Sequence, residues 1–204
     1  MINPPKTYAR KKRIDVQFLA IGIFVVLFVV AIAFFVNHTI KTRELAHYTS
    51  EKYGFSFDYP KRYALNEATM TNGSNDIGAA ITLIENGVHI IENGEGPTAI
   101  TIAIYDNAAS NVQGENPLDF WIEKSPYSNI TLAKTPKTAT TTVNGREART
   151  YIWDGLYQGT SVVTEYTGDI IMASVTYDGK GDTKKQNDFK RLMDTFIFST
   201  STAQ

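Results

Sequence analysis

The 21 residues from Val16 to Val36 carry no charge, and 16 of them are Val, Ile, Leu or Phe. As a helix, at 1.5 Å per residue, this run is about 31 Å long, close to the roughly 30 Å hydrocarbon core of a bilayer. It is apolar on every face, unlike the one-sided stripe of a helix that packs on a soluble core. The run predicts a single transmembrane helix over 16–36, with Val16, Phe18, Leu27 and Val36 spread along its length.

Its flanks set an orientation. Lys6, Arg10, Lys11, Lys12 and Arg13 precede it, opposed by Asp15, while Lys41 and Arg43 with Glu44 follow. The basic excess before the run, with Arg10, Lys11, Lys12 and Arg13 closest to it, places the N-terminus in the cytoplasm and everything after the span outside. A cleaved signal peptide is the competing reading. Ala31-Ile32-Ala33 fits a small-x-small cleavage site, but Phe34-Phe35-Val36 carries the apolar run past it. Signal h-regions are also shorter, about 7–15 residues. The expected localisation is the plasma (inner) membrane, single-pass, with an extracytoplasmic C-terminal domain.

The chain divides on this basis into a basic cytoplasmic tail at 1–15, the span at 16–36, a juxtamembrane spacer at 37–48, a folded domain at 49–199 and a disordered tail at 200–204. The spacer is expected to prolong the membrane helix for a turn or more. From Thr49 onward 13 Lys and Arg stand against 19 Asp and Glu, a balance of −6 that the whole-chain charge of −1 hides. An acidic outer domain disfavours nucleic acid, whose phosphates need a basic face. The chain has no cysteine, which removes thiol catalysis, redox switching and thiolate-bound zinc. A domain of this size buries enough core to stand outside the cell without disulfides.

Within the domain the pattern is short strands. Tyr53-Gly54-Phe55-Ser56-Phe57-Asp58-Tyr59-Pro60 alternates aromatic and polar residues and ends on proline. Residues 79–85 and 88–92 flank Asn86-Gly87 and read as a hairpin, and 98–106 alternates again. Two further hairpins are predicted, 138–143 with 146–153 on Asn144-Gly145, and 160–167 with 170–177 on Gly168-Asp169. Asn116-Pro117 opens a short helix to Lys124, with Asn116 as cap and Pro117 where no N–H is needed. A second helix runs from about Asp182 to Thr195, where Phe189, Leu192, Met193 and Phe196 make one apolar stripe. The fold class is α+β: a transmembrane helix, then an antiparallel sheet flanked by helices.

Three stretches carry a resemblance: the aromatic opening at 53–60, the hairpin Asn144-Gly145-Arg146-Glu147-Ala148, and the close Phe189…Leu192-Met193…Thr195-Phe196-Ile197-Phe198. This layout, over about residues 50–199, resembles the PsbP-like domains of the Mog1/PsbP fold found in many short bacterial membrane-anchored proteins. The resemblance implies an α/β/α sandwich with an antiparallel central sheet. It also implies a habit of docking on larger assemblies, as extrinsic subunits and adaptors do, rather than catalysis.

Candidate sites are few. His38 and His47 sit in the spacer half a helical turn out of phase, and His89 is the one histidine of the domain. Neither G-x-S-x-G nor S-x-x-K occurs, and no phosphate-binding glycine motif is present, so no catalytic or cofactor-binding residue is assigned and no cofactor is expected. Asp178-Gly179-Lys180-Gly181-Asp182 allows a weak metal reading through Asp178 and Asp182, but it lacks the alternating oxygens of a calcium loop. A turn leading into a helix cap accounts for the same residues. Tyr151, Trp153 and Tyr157, around Asp154-Gly155, are either core or an exposed aromatic patch suited to a partner.

The expected function is a membrane-anchored, extracytoplasmic, non-catalytic module that binds within a membrane or envelope assembly and has a protein partner. Two alternatives stand beside it. One is an extracytoplasmic hydrolase using a carboxylate pair or carboxylate-bound metal. The other is a ligand sensor, for which the 15-residue tail demands a separate signalling partner.

Overall fold

A computed structural model describes residues 44–73, 75–88, 96–110, 112, 116–179 and 182–199. The predicted span, its markers Val16, Phe18, Leu27 and Val36, and the basic residues Arg10, Lys11, Lys12 and Arg13 lie outside these residues, as do His38 and His89. Among the described residues no helix is long and apolar enough to cross a membrane.

The centre of the domain is a seven-stranded antiparallel sheet. It is built from β3 (Tyr63–Asn72), β4 (Asn75–Glu85), β5 (Ile100–Tyr105), β6 (Ala139–Val143), β7 (Arg146–Asp154), β8 (Gln158–Tyr166) and β9 (Asp169–Tyr177). The strand order is β3-β4-β5-β9-β8-β7-β6. A smaller sheet joins β1 (Leu45–Ser50), β2 (Phe55–Pro60) and β10 (Ile197–Phe198), with β2 in the middle. Two helices complete the unit, α1 (Pro117–Lys124) and α2 (Thr183–Asp194), and a single 3-10 turn spans Ile130–Leu132.

The small sheet and α2 cover one face of the large sheet. The aromatic opening and closing stretches of the domain meet there. Ile197 and Phe198 pair with Ser56 and Phe55, and the ring of Phe196 stacks 5.0 Å from Phe55 and 5.8 Å from Phe57. Phe55, Phe57 and Leu192 are fully buried against Ile81, Leu83, Ile102 and Val175 of the large sheet. Each such side chain contributes about 1.5–3 kcal/mol of burial, so this joint between the domain's opening and closing stretches is a main element of stability. The stripe on α2 behaves as its period requires, with Phe189 and Leu192 buried and Met193 half-buried beside them.

The opposite face carries a second core under α1. Leu118, Trp121 and Ile122 pack there with Ala103, Tyr105, Tyr151, Trp153, Val163, Ile170 and Met172. Successive residues of β9 alternate between the cores, Ile171, Ala173 and Val175 to the first, Ile170 and Met172 to the second. That is the period-2 geometry of a strand buried on both sides.

Both predicted helices form, and the β6–β7 hairpin turns on Asn144 and Gly145 with φ of 48° and 78°, as a two-residue turn of this type requires. The β8–β9 turn instead uses Thr167 and Gly168, one residue earlier than the sequence pattern indicates. Three expectations are corrected. Leu45–Tyr48, read as spacer, pair with Phe57–Pro60 in β1–β2, so the folded domain begins before Thr49. Strand β3 has no counterpart in the sequence reading, because most of its residues are exposed and polar and show no clean alternation. Finally, β4 pairs with β3 and β5 on its two edges. Along Gly78–Leu83 both edges of β4 are thus taken; of the predicted partner arm 88–92, only Val88 lies within the described residues.

Candidate functional site

Helix α1 is short, and its placement is fixed at several points. The Asn116 side chain accepts from the backbone N–H of Leu118 at 3.0 Å and of Asp119 at 3.3 Å, and Pro117 takes the first helical position. Trp121 then lies 4.9 Å from the ring of Tyr105, a residue whose hydroxyl pKa burial pushes up to about 12. The segment after the helix is held by Tyr151, which donates to the carbonyl of Ser128, and by a left-handed Asn129.

Between α1 and residues 130–138 is a cavity of about 480 Å³. Ile122, Ile130 and Pro136 give it an apolar body. Asp119 and Glu123, one helical turn apart, with Thr131 and Thr138, supply its polar groups. Thr138 immediately precedes edge strand β6. Beneath α1, Arg149 of β7 is almost fully buried and grips Asp119 at two points, Nε to Oδ1 at 2.7 Å and Nη2 to Oδ2 at 2.9 Å. Its Nη1 donates to Glu147 Oε1 at 2.6 Å. These carboxylates raise the pKa of the guanidinium further. The pair is a planar two-point contact of the kind only arginine makes, and it holds the cavity's helical wall to the sheet.

The aromatic patch read from the sequence is not formed. Tyr151 and Trp153 are buried in the core under α1. The Trp153 Nε1–H donates to Ser161 Oγ at 3.0 Å, and its ring lies across Gly159, where a Cβ would come within 2.3 Å. Tyr157 is half-buried and donates to the carbonyl of Gly96 at 3.0 Å. Alternation explains the correction, since Tyr151 and Trp153 share one face of β7 and the intervening Ile152 takes the other. The exposed apolar residues of this region are Ile152, Leu156 and Leu132, at 66%, 67% and 44% exposure. Leu132 is in reach of the loop between β7 and β8, since a Cβ on Gly155 would lie 3.2 Å from it.

Asp182 caps α2, accepting from the backbone N–H of Lys185 at 3.0 Å, with the Lys185 ammonium 3.6 Å from its other oxygen. Asp178 is exposed in the preceding turn. Among the described residues no three His, Asp or Glu side chains are grouped to hold a metal ion. His47 bonds to Asp58 across β1–β2 at 2.7 Å. A second polar cluster ties α2 to the start of β3: Arg62 pairs with Asp188, and Tyr63 donates to Asp188 Oδ2 at 2.8 Å. Glu85 accepts from Lys184 at 2.8 Å, a bond that lowers the Glu85 pKa. The sequence reading identified neither this cluster nor the Arg149–Asp119 pair, whose members lie 30 positions apart.

No family model matches the sequence, and no curated protein matches it. Solved structures do. The solution structure of cyanobacterial PsbP (CyanoP) from Synechocystis sp. PCC 6803 matches with a TM-score of 0.52 at 13% identity, over 76% of this chain and 92% of that one. A crystal structure from Bacteroides thetaiotaomicron VPI-5482 matches with a TM-score of 0.48 at 12% identity, over 78% of this chain and 50% of that one. The fold is PsbP-like, an antiparallel sheet with helices. Identities this low speak for the fold alone.

Proposed function

We propose that the chain is a non-catalytic binding or assembly module, held at a membrane by the 16–36 span, with its PsbP-like domain outside the cytoplasm and docked on a protein of a membrane or envelope assembly. The observation that carries the reading is the state of Asp119. It is the carboxylate nearest the sheet in the cavity, and both its oxygens are taken by Arg149. A carboxylate locked in this way positions a helix; it is not poised to move protons. The rest of the cavity combines the apolar Ile122, Ile130 and Pro136 with the polar Glu123, Thr131 and Thr138, and it adjoins exposed residues of the 130–138 segment, a surface suited to a side chain of a partner. The PsbP-like fold agrees with a binding role by analogy.

The test is crosslinking of the full-length chain in native membranes, with mass spectrometry of the joined peptides. A reproducible partner protein joined through residues 116–138 supports the reading. Turnover of a substrate by the full-length chain that is lost in Glu123→Gln would replace it with the hydrolase reading. That reading draws on one observation, that Asp119 and Glu123 face the same cavity.

A further inference from the structure

The large sheet has two edges, and they differ in kind. Edge β3 is broken by a bulge between Met70 and Thr71 and carries Glu67, which accepts from the Tyr48 hydroxyl. Charges and bulges of this sort keep an edge from pairing with another chain. Edge β6 has neither. It is Ala139-Thr140-Thr141-Thr142-Val143, uncharged, in unbroken register with β7, and no described residue pairs with its outer side. Thr140 and Thr142 are exposed and Thr141 half-buried.

We propose that β6 is a homotypic docking edge. A second copy of this chain adds antiparallel to it about a two-fold axis at Thr141 and makes the two large sheets continuous. The strand is complementary to itself. The axis sets Thr141 against Thr141, Thr140 against Thr142 and Ala139 against Val143, so threonine pairs form and no like charges oppose one another. The next residues in the same cross-strand row also fit. Thr142 pairs with Glu147 and Thr140 with Arg149, so the row across the joint runs Glu147, Thr142, then Thr140 and Arg149 of the second copy; Arg149 is already paired with Asp119 and Glu147 of its own chain, so the row sets no like charges against each other.

The pairing also reaches the cavity wall. Thr138 lines the cavity, and one step beyond the strand the axis brings Thr138 against Asn144 of the second copy. The axis is perpendicular to the sheet, so both copies present the same face of the continuous sheet. In its setting, two chains held in one membrane, the inference rests on the anchored reading above. A five-residue edge gives modest affinity in free solution, and anchoring raises the effective concentration at which the two edges meet.

The absence of native cysteine makes the test clean. The full-length chain carrying Thr141→Cys, or Thr69→Cys on the bulged edge, is oxidised with copper–phenanthroline in isolated membranes and run without reductant. The expected result is a covalent dimer for Thr141→Cys and monomer for Thr69→Cys. Mixed membranes bearing Thr140→Cys and Thr142→Cys chains should give the mixed dimer in preference to either like pair, which fixes the register. Monomeric Thr141→Cys, or equal dimer at positions 141 and 69, overturns the proposal. Labelling Thr69→Cys in intact cells with a membrane-impermeant maleimide reports the outward orientation separately. Labelling without the Thr141 dimer removes the docking edge and keeps the orientation. The dimer without labelling in intact cells keeps the edge and removes the orientation.

Discussion

Arg149 and Asp119 face each other across the joint between sheet and helix, with both guanidinium–carboxylate contacts between 2.7 and 2.9 Å. The arginine is 11% exposed and the aspartate 49%. Removing the aspartate leaves a buried cation with only Glu147 and the Ala148 carbonyl as partners. We expect Asp119→Ala to cost about 2 kcal/mol in urea unfolding, less than the loss of a fully buried pair because Asp119 is half in water. The paired change Asp119→Leu with Arg149→Met should recover most of that loss. Equal stability of Asp119→Ala and the parent would show that the contact does not hold α1.

Gly159 supports Trp153 by having no side chain. An added methyl would lie 2.3 Å from the indole carbons, so the ring must leave its seat and give up its bond to Ser161. Gly159→Ala should cost about 1–3 kcal/mol, the usual range for overpacking, and shift tryptophan emission to the red. An unchanged emission maximum with unchanged stability would contradict the packing.

Burial, with Glu67 as an added hydrogen-bond and charge effect at Tyr48, raises the pKa of Tyr48 and Tyr105 from 10.0 to about 12. The folded state holds these protons at a pH where the unfolded chain has lost them. The stability tied to them is therefore complete below pH 10 and drains as pH rises from about 10 to 12. Tyrosinate absorbance at 295 nm should appear together with loss of structure in that window, and Tyr105→Phe should make the loss shallower. If the share of that absorbance that Tyr105→Phe removes titrates near pH 10 in the folded protein, the burial of Tyr105 is contradicted.

Asp182 serves as a helix cap. Asp182→Ala should cost about 1 kcal/mol, typical of a lost cap, by the same amount in calcium and in a chelator. A rise in melting temperature on adding calcium, abolished by this substitution, would restore the metal reading of Asp178 and Asp182.

Local chemistry made part of this fold legible. Asn116-Pro117 marks the start of α1, Asn144-Gly145 fixes the β6–β7 turn, and the spacing of Phe189 and Leu192 points α2 at the sheet. Each signal lies within a few residues. Strand β3 was not legible because an exposed edge strand needs no alternation. Trp153 was ambiguous because its seat is Gly159, across a hairpin whose register sequence alone leaves open. The exposure of Ile152 follows once Tyr151 and Trp153 are placed on the covered face. The Arg149–Asp119 pair joins residues of elements that meet only in the folded domain, and no pattern in the chain announces it.

The proposed function requires a folded domain held outside the cytoplasm by one membrane span. Its most direct test is alkaline carbonate extraction of cell membranes, coupled with protease added to intact cells or spheroplasts, following a C-terminal tag on the full-length chain. The chain should stay in the membrane pellet, and external protease should remove the tag. Release by carbonate, or a tag protected until the membrane is opened, would contradict the proposed function.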